Sequence, residues 1–183
     1  MPVRHILKFP QEEEGLRKKS KSVKRNDPQL KSLIQDLKDT LATQDGAGLA
    51  APQIGVHKRV ALISLGQDNE EGMREPFAII NPVITKKGSP KKGFDGCLSM
   101  PGWMTWDTKR PEWLEFRARD ENWKPIQMRV EDIDARVVSH EIDHLDGILF
   151  LDHLESDSKL FIVRIDENGE EKLVEITQLL SGR

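Results

Sequence analysis

The chain has 183 residues, enough for one domain with a substantial core. Its 28 basic and 31 acidic residues leave a formal net charge of −3, so no overall field marks it as a DNA or membrane binder. Its longest apolar runs, such as "VALISL" and "ILFL", are too short to cross a bilayer, and "MPVRHILKFP" lacks the apolar stretch of a signal peptide. The single cysteine, Cys97, excludes an internal disulfide and points to a reducing compartment.

In chain order, the run "RKKSKSVKR" (17–25) is basic and reads as a solvated loop; contact with an RNA surface is the sharper alternative. Residues 27–43 form the expected N-terminal helix. Asp27 can cap it, Pro28 suits its first turn, and Leu30, Leu33, Ile34, Leu37 and Leu41 make one apolar face. "DGAGLAAPQIG" (45–55) is a glycine-punctuated loop. "RVALISL" (59–65) and "FAIINPVIT" (77–85) are expected strands, and "KKGSPKKG" (86–93) a lysine-rich turn. Two more strands follow at 112–120 and 124–130. A second helix is expected from Asp132 to Leu145, with Gly147 as its C-terminal cap. Asn168-Gly169, between two alternating β-branched runs, predicts a hairpin over residues 159–177. Strands in the middle with flanking helices give an α+β class.

The chemistry concentrates in "SHEIDHLDG" (139–147). On a helix, His140 and His144 lie four apart on one face and can share a metal ion. Glu141, in this H-E-x-x-H arrangement, serves as general base and not as a ligand. Val138, Ile142 and Leu145 turn to the core and hold the ligands rigid. Such a site needs a third ligand and one open position. Cys97 in "DGCLSMPG" is one candidate, and His153, Asp152 and Glu155 downstream are others. In the 45–55 loop, small residues let a substrate backbone approach, and Gln53 offers a carboxamide donor to a developing oxyanion.

Together, "GAGLAAPQ" (46–53), "DGCLS" (95–99) and "HEIDHLDG" (140–147) resemble, in order, the three signature motifs of the peptide deformylases. The resemblance spans residues 5–154 and treats 1–183 as one catalytic domain with a C-terminal hairpin extension. It implies antiparallel sheets packed around a central metal-binding helix. It implies hydrolysis of the formyl group from the N-terminal formylmethionine of nascent polypeptides. By position, Cys97, His140 and His144 become the metal ligands and Glu141 the acid/base. Gln53 and the Leu98 amide become oxyanion donors; Gly48, Ala47, Val137 and Trp103 become substrate-binding residues. The implied cofactor is one divalent metal ion per chain, Fe(II) in cells, with zinc, nickel or cobalt able to substitute. The implied partners are N-formylmethionyl nascent peptides, with ribosome contact possible, for a bacterial-type cytoplasmic monomer. Alternatives are a non-catalytic relative that binds nascent or formylated N-termini, and an H-E-x-x-H zinc peptidase.

Four departures stand out. Asp95 replaces the family's glutamate, so its pair with Arg110 is expected to be looser or to need a backbone shift. Ser139 replaces a glutamine, and Ala47 a bulkier aliphatic. "GWMTWD" (102–107) lacks an arginine common in the family; its Trp103, Met104 and Trp106 could line a methionine pocket or merely cover the core edge.

Overall fold

The structure, a computed structural model, describes residues 3–66 and 75–180. In chain order it contains α1 (Glu13–Leu16), α2 (Leu30–Leu41), β1 (Gly48–Ala50), a 3-10 turn (Ala51–Ile54), β2 (Val60–Ile63) and β3 (Phe77–Lys87). Next come β4 (Pro90–Cys97), β5 (Met100–Pro111), β6 (Trp113–Arg119), β7 (Pro125–Glu131) and α3 (Asp132–Leu145). A 3-10 turn (Phe150–His153), β8 (Phe161–Ile165), β9 (Glu171–Glu175) and a last 3-10 turn (Thr177–Leu180) complete it. The strands form two antiparallel sheets, ordered β1-β2-β3-β6-β7 and β4-β5-β8-β9. The class is α+β, as expected.

Strand alternation decides which helix covers which face of the larger sheet. Leu49, Val60, Leu62 and Ile80 pack with Leu33, Ile34, Leu37 and Leu41 of α2. Their immediate neighbours Ala50, Ala61, Ile63 and Ile79 point the other way, against Val138, Ile142 and Leu145 of α3. The second face of α3 meets β5, so this helix lies between the two sheets. Leu145 and Val138 are wholly buried, a transfer worth about 1.5–3 kcal/mol each, which anchors the segment bearing the histidines. A third cluster, of Phe9, Leu16, Met100, Phe150 and Leu160, ties the N-terminal segment to the smaller sheet.

Several expectations need correction. The stretch 86–93 is not one turn: β3 runs to Lys87 and β4 begins at Pro90, leaving only Gly88 and Ser89 between them. Its lysines are exposed strand residues, Lys86 and Lys87 at the end of β3 in the larger sheet and Lys91 and Lys92 in β4 at the edge of the smaller one, and Gly88 is required because an added Cβ would lie 2.4 Å from Trp113 Nε1. "GWMTWD" is part of the twelve-residue strand β5. The first helix is shorter than expected. Asp27 caps the preceding turn, accepting from the Gln29 amide at 2.9 Å, and the helix starts at Leu30. The 45–55 loop holds a three-residue edge strand and a 3-10 turn.

Other expectations hold. The second helix has the expected bounds and is followed by Gly147 at φ 74°. The tail is a hairpin, β8 against β9, turning through Asn168 and Gly169, whose φ is 81°. In the basic cluster, Arg17 pairs with Glu13 and Asp152, Lys18 with Glu14, and Lys19 with Asp146. Half of that charge is therefore neutralised locally.

Candidate metal centre

Two elements bring three side chains to one point. α3 presents His140 and His144 one turn apart, and the end of β4 presents Cys97. His144 Nε2 lies 3.2 Å from Cys97 Sγ and 3.2 Å from His140 Nε2, and the three donor atoms fall within 4.8 Å of one another. A tetrahedral ion with bonds of about 2.0–2.3 Å sets such atoms about 3.3–3.6 Å apart, so the residues fit a divalent metal. His153, Asp152 and Glu155, the alternative third ligands, are engaged elsewhere: with Asp143, with Arg17 and the Leu149 amide, and with Lys109.

The surroundings prepare these atoms for a cation. His140 Nδ1 bonds Asp95 Oδ1 at 2.8 Å, which leaves Nε2 facing the cluster as a lone-pair donor. Asp95 Oδ2 accepts from Arg110 Nε at 2.6 Å, and Arg110 Nη1 reaches Asp143 at 2.7 Å and Ser139 Oγ at 3.2 Å. The Asp95–Arg110 pair is therefore close, not loose, and register irregularities in the β4–β5 pairing flank Asp95. Burial opposes ionisation of Asp95, but His140 and Arg110 outweigh it and hold the carboxyl well below the usual carboxylate range. Burial likewise opposes a thiolate at Cys97, yet His144 and His140 keep its pKa well below the ordinary thiol range. The Ser99 amide at 3.4 Å and Gln53 Nε2 at 3.5 Å also point at that sulfur. The site thus favours at Cys97 the thiolate that metal binding requires.

Glu141 sits beside the cluster with one carboxylate oxygen, Oε2, buried and without a partner among the described residues. Burial pushes its carboxyl up to about 7. Gly48 lies against it, and a Cβ there would meet Glu141 Oε1 at 2.4 Å. Gln53 is fully buried; its Oε1 accepts from the Ala50 amide at 2.8 Å and its Nε2 donates to Ser99 Oγ at 3.2 Å, which fixes the carboxamide.

A cavity of about 530 Å³ opens onto this point. Gly48, Ala47, Gln53, Cys97, Leu98, Trp103, Val137, His140 and Glu141 all line it. Met104 lines it too, whereas Trp106 lies outside it. Other wall residues were not expected. Lys8 donates to the Leu98 carbonyl at 2.7 Å, and Arg136 spans the carbonyls of Lys91, Gly93, Phe94 and Thr108. Reading 90–97 as a strand would have revealed one missed contact, since Asp95 and Cys97 then share a face.

Three donors that could hold one ion, an open side and a buried carboxyl beside them are what a metal-dependent hydrolase requires. The sequence model of the polypeptide deformylase family matches residues 3–160. The peptide deformylase of Dehalococcoides mccartyi strain CBDB1 is 37% identical over 175 residues, covering 96% of this chain and all of that protein. The crystal structure of a peptide deformylase from Legionella pneumophila superposes with a TM-score of 0.73 at 39% identity, covering 84% of this chain and 87% of that one. One from Synechococcus elongatus in complex with actinonin gives 0.74 at 35%, covering 85% and 80%. The chain belongs to the polypeptide deformylase family.

Proposed function

We propose that Cys97, His140 and His144 hold one divalent metal ion and that Glu141 carries the protons as the enzyme removes the formyl group from nascent polypeptides. Fe(II) is the ion we infer in cells; zinc, nickel and cobalt also suit one thiolate with two imidazoles. When bound, the ion supplies Lewis acidity to the formyl carbonyl and the attacking water. Ala47, Val137 and Trp103 receive the methionine side chain, and the Gly48 backbone aligns the peptide. Glu141 takes a proton from the water as it adds to the formyl carbon. The Gln53 carboxamide and the Leu98 amide stabilise the oxygen on which charge develops. Glu141 then returns the proton to the departing nitrogen as the C–N bond breaks, giving formate and a free amine. The observation that carries this reading is the unpartnered, buried Glu141 oxygen beside three converging ligand atoms.

We further infer a monomer acting in the cytoplasm where formylated chains emerge. Among the described residues no helix is long and apolar enough to cross a membrane. Lys24 and Arg25, which lack carboxylate partners there, are the part of the basic loop best placed for ribosome contact. The test is formate release from formyl-Met-Ala-Ser by metal-loaded protein. Glu141→Gln should keep the metal and lose ~10²–10⁴-fold in kcat with KM little changed. Near-normal kcat in that variant would remove Glu141 from its role.

A further inference from the structure

The smaller sheet has an outer face that the chemistry above leaves unused. In β5 and β8, Trp103 pairs with Ile162, and both pack toward the core. The alternate residues Met104 and Phe161, also opposite one another, therefore point outward. On this face Phe94 and Trp106 rings lie 5.7 Å apart, and Trp106 and Phe161 rings 5.8 Å apart. Val163 and Leu173, paired across β8 and β9, extend it, and Ile165 lies two residues beyond Val163. Phe94 is 46% exposed, Trp106 47%, Leu173 52% and Ile165 72%, too much contiguous apolar surface to be scattered noise.

What fixes the occupant is continuity with the catalytic cavity. Phe94 and Met104 belong both to this face and to the cavity wall. The Phe94 ring also lies over Gly96, beside Cys97; an added Cβ at Gly96 would sit 3.5 Å from Phe94 Cζ. From β4 to β9 is three strand spacings, ~14 Å, which about four extended residues would span at ~3.3 Å each. We propose that this face binds the third and following residues of the substrate polypeptide, with preference for apolar side chains. This rests on the deformylase reading and deepens it. Glu171 and Glu175, opposite Ile165 and Phe161 on the same face, turn acidic segments away.

The test compares formyl-Met-Ala with two longer peptides, formyl-Met-Ala-Phe-Leu-Val and formyl-Met-Ala-Ser-Ser-Ser, on metal-loaded protein. The apolar peptide should show a kcat/KM about tenfold above formyl-Met-Ala, carried by KM, and the serine peptide no gain. Trp106→Ser, outside the cavity, should abolish the gain and leave formyl-Met-Ala unchanged. Leu173→Ser, on the hairpin, should reduce the gain and stands in if the tryptophan variant does not fold. A gain that survives both substitutions, or an equal loss on short and long peptides, would overturn the proposal. So would a wild-type dimer by sedimentation that Trp106→Ser dissociates while no peptide shows a gain; the face would then serve a second copy. Absence of turnover on formyl-Met-Ala itself would instead sink the deformylase reading, and this one with it.

Discussion

Gly48→Ala tests the site through a single methyl group. The added Cβ would stand 2.4 Å from Glu141 Oε1 and 2.7 Å from Cδ and Cγ, where ordinary contact begins at 3.4 Å. Glu141 must therefore retreat by about 1 Å (3.4 less 2.4). Neither backbone can yield cheaply: Gly48 is paired to Ile63 in the sheet, and the helix beneath Glu141 is locked by Val138, Ile142 and Leu145. A misplacement of that size costs on the order of 10²-fold in rate, about 2.7 kcal/mol of barrier. The Gly48 N–H and C=O proposed to align the peptide survive the change, and none of the three proposed ligands is touched. The variant should keep one metal per chain by elemental analysis and lose about 10²-fold in kcat for formate release. In a Glu141→Gln background the same substitution should add little, because both changes act on one group. A single variant within about threefold of wild type, or a full second loss in the double variant, would refute the reasoning.

Two further outcomes follow from the same geometry. Cys97→Ala leaves two imidazoles and should abolish stoichiometric metal binding, read by elemental analysis; full occupancy would mean that the third ligand lies elsewhere. In metal-free protein, Glu141 has a folded pKa of about 7 against an ordinary 4.5. Because its folded pKa is raised, the native state holds the extra proton between those values. The stability this gives is complete below 4.5 and is lost as pH rises through about 7. Its size is on the order of 3 kcal/mol, so the Tm of wild type should fall relative to Glu141→Gln across that window. Parallel Tm curves for the two would show that burial does not hold the proton there.

The parts of the fold legible in the sequence are those with a local cause. Residues 132–145 carry a helical apolar period and the paired histidines, and Asn168-Gly169 supplies the backbone a hairpin turn demands. Elements decided by distant partners were illegible. Residues 86–93 look like a turn because Gly, Ser, Pro and four lysines carry no apolar alternation; β4 exists because β5 pairs with it. The metal cluster itself was half legible. His140 and His144 announce each other by spacing, whereas Cys97 is joined to them across 47 residues of sequence only by the folded chain. The contact from Asp95 to His140 was missed for the same reason, as was Lys8 on the Leu98 carbonyl, 90 residues away.

The position of α3 between the two sheets has a dynamic consequence. Gly48 lies in the edge strand of the larger sheet and Gln53 in the 3-10 turn that follows it, Cys97 ends β4 of the smaller sheet with Leu98 next in the chain, and Glu141 sits on the helix between the sheets. The groups proposed to react are thus divided among three blocks that meet along the seams of α3. A sub-global opening there would separate the proposed acid/base from the proposed oxyanion donors while each sheet kept its own hydrogen bonds. Turnover would then fail at a lower free energy than global unfolding. Amide exchange along the α3 seams, more than the melting temperature, would track the fraction of molecules able to react.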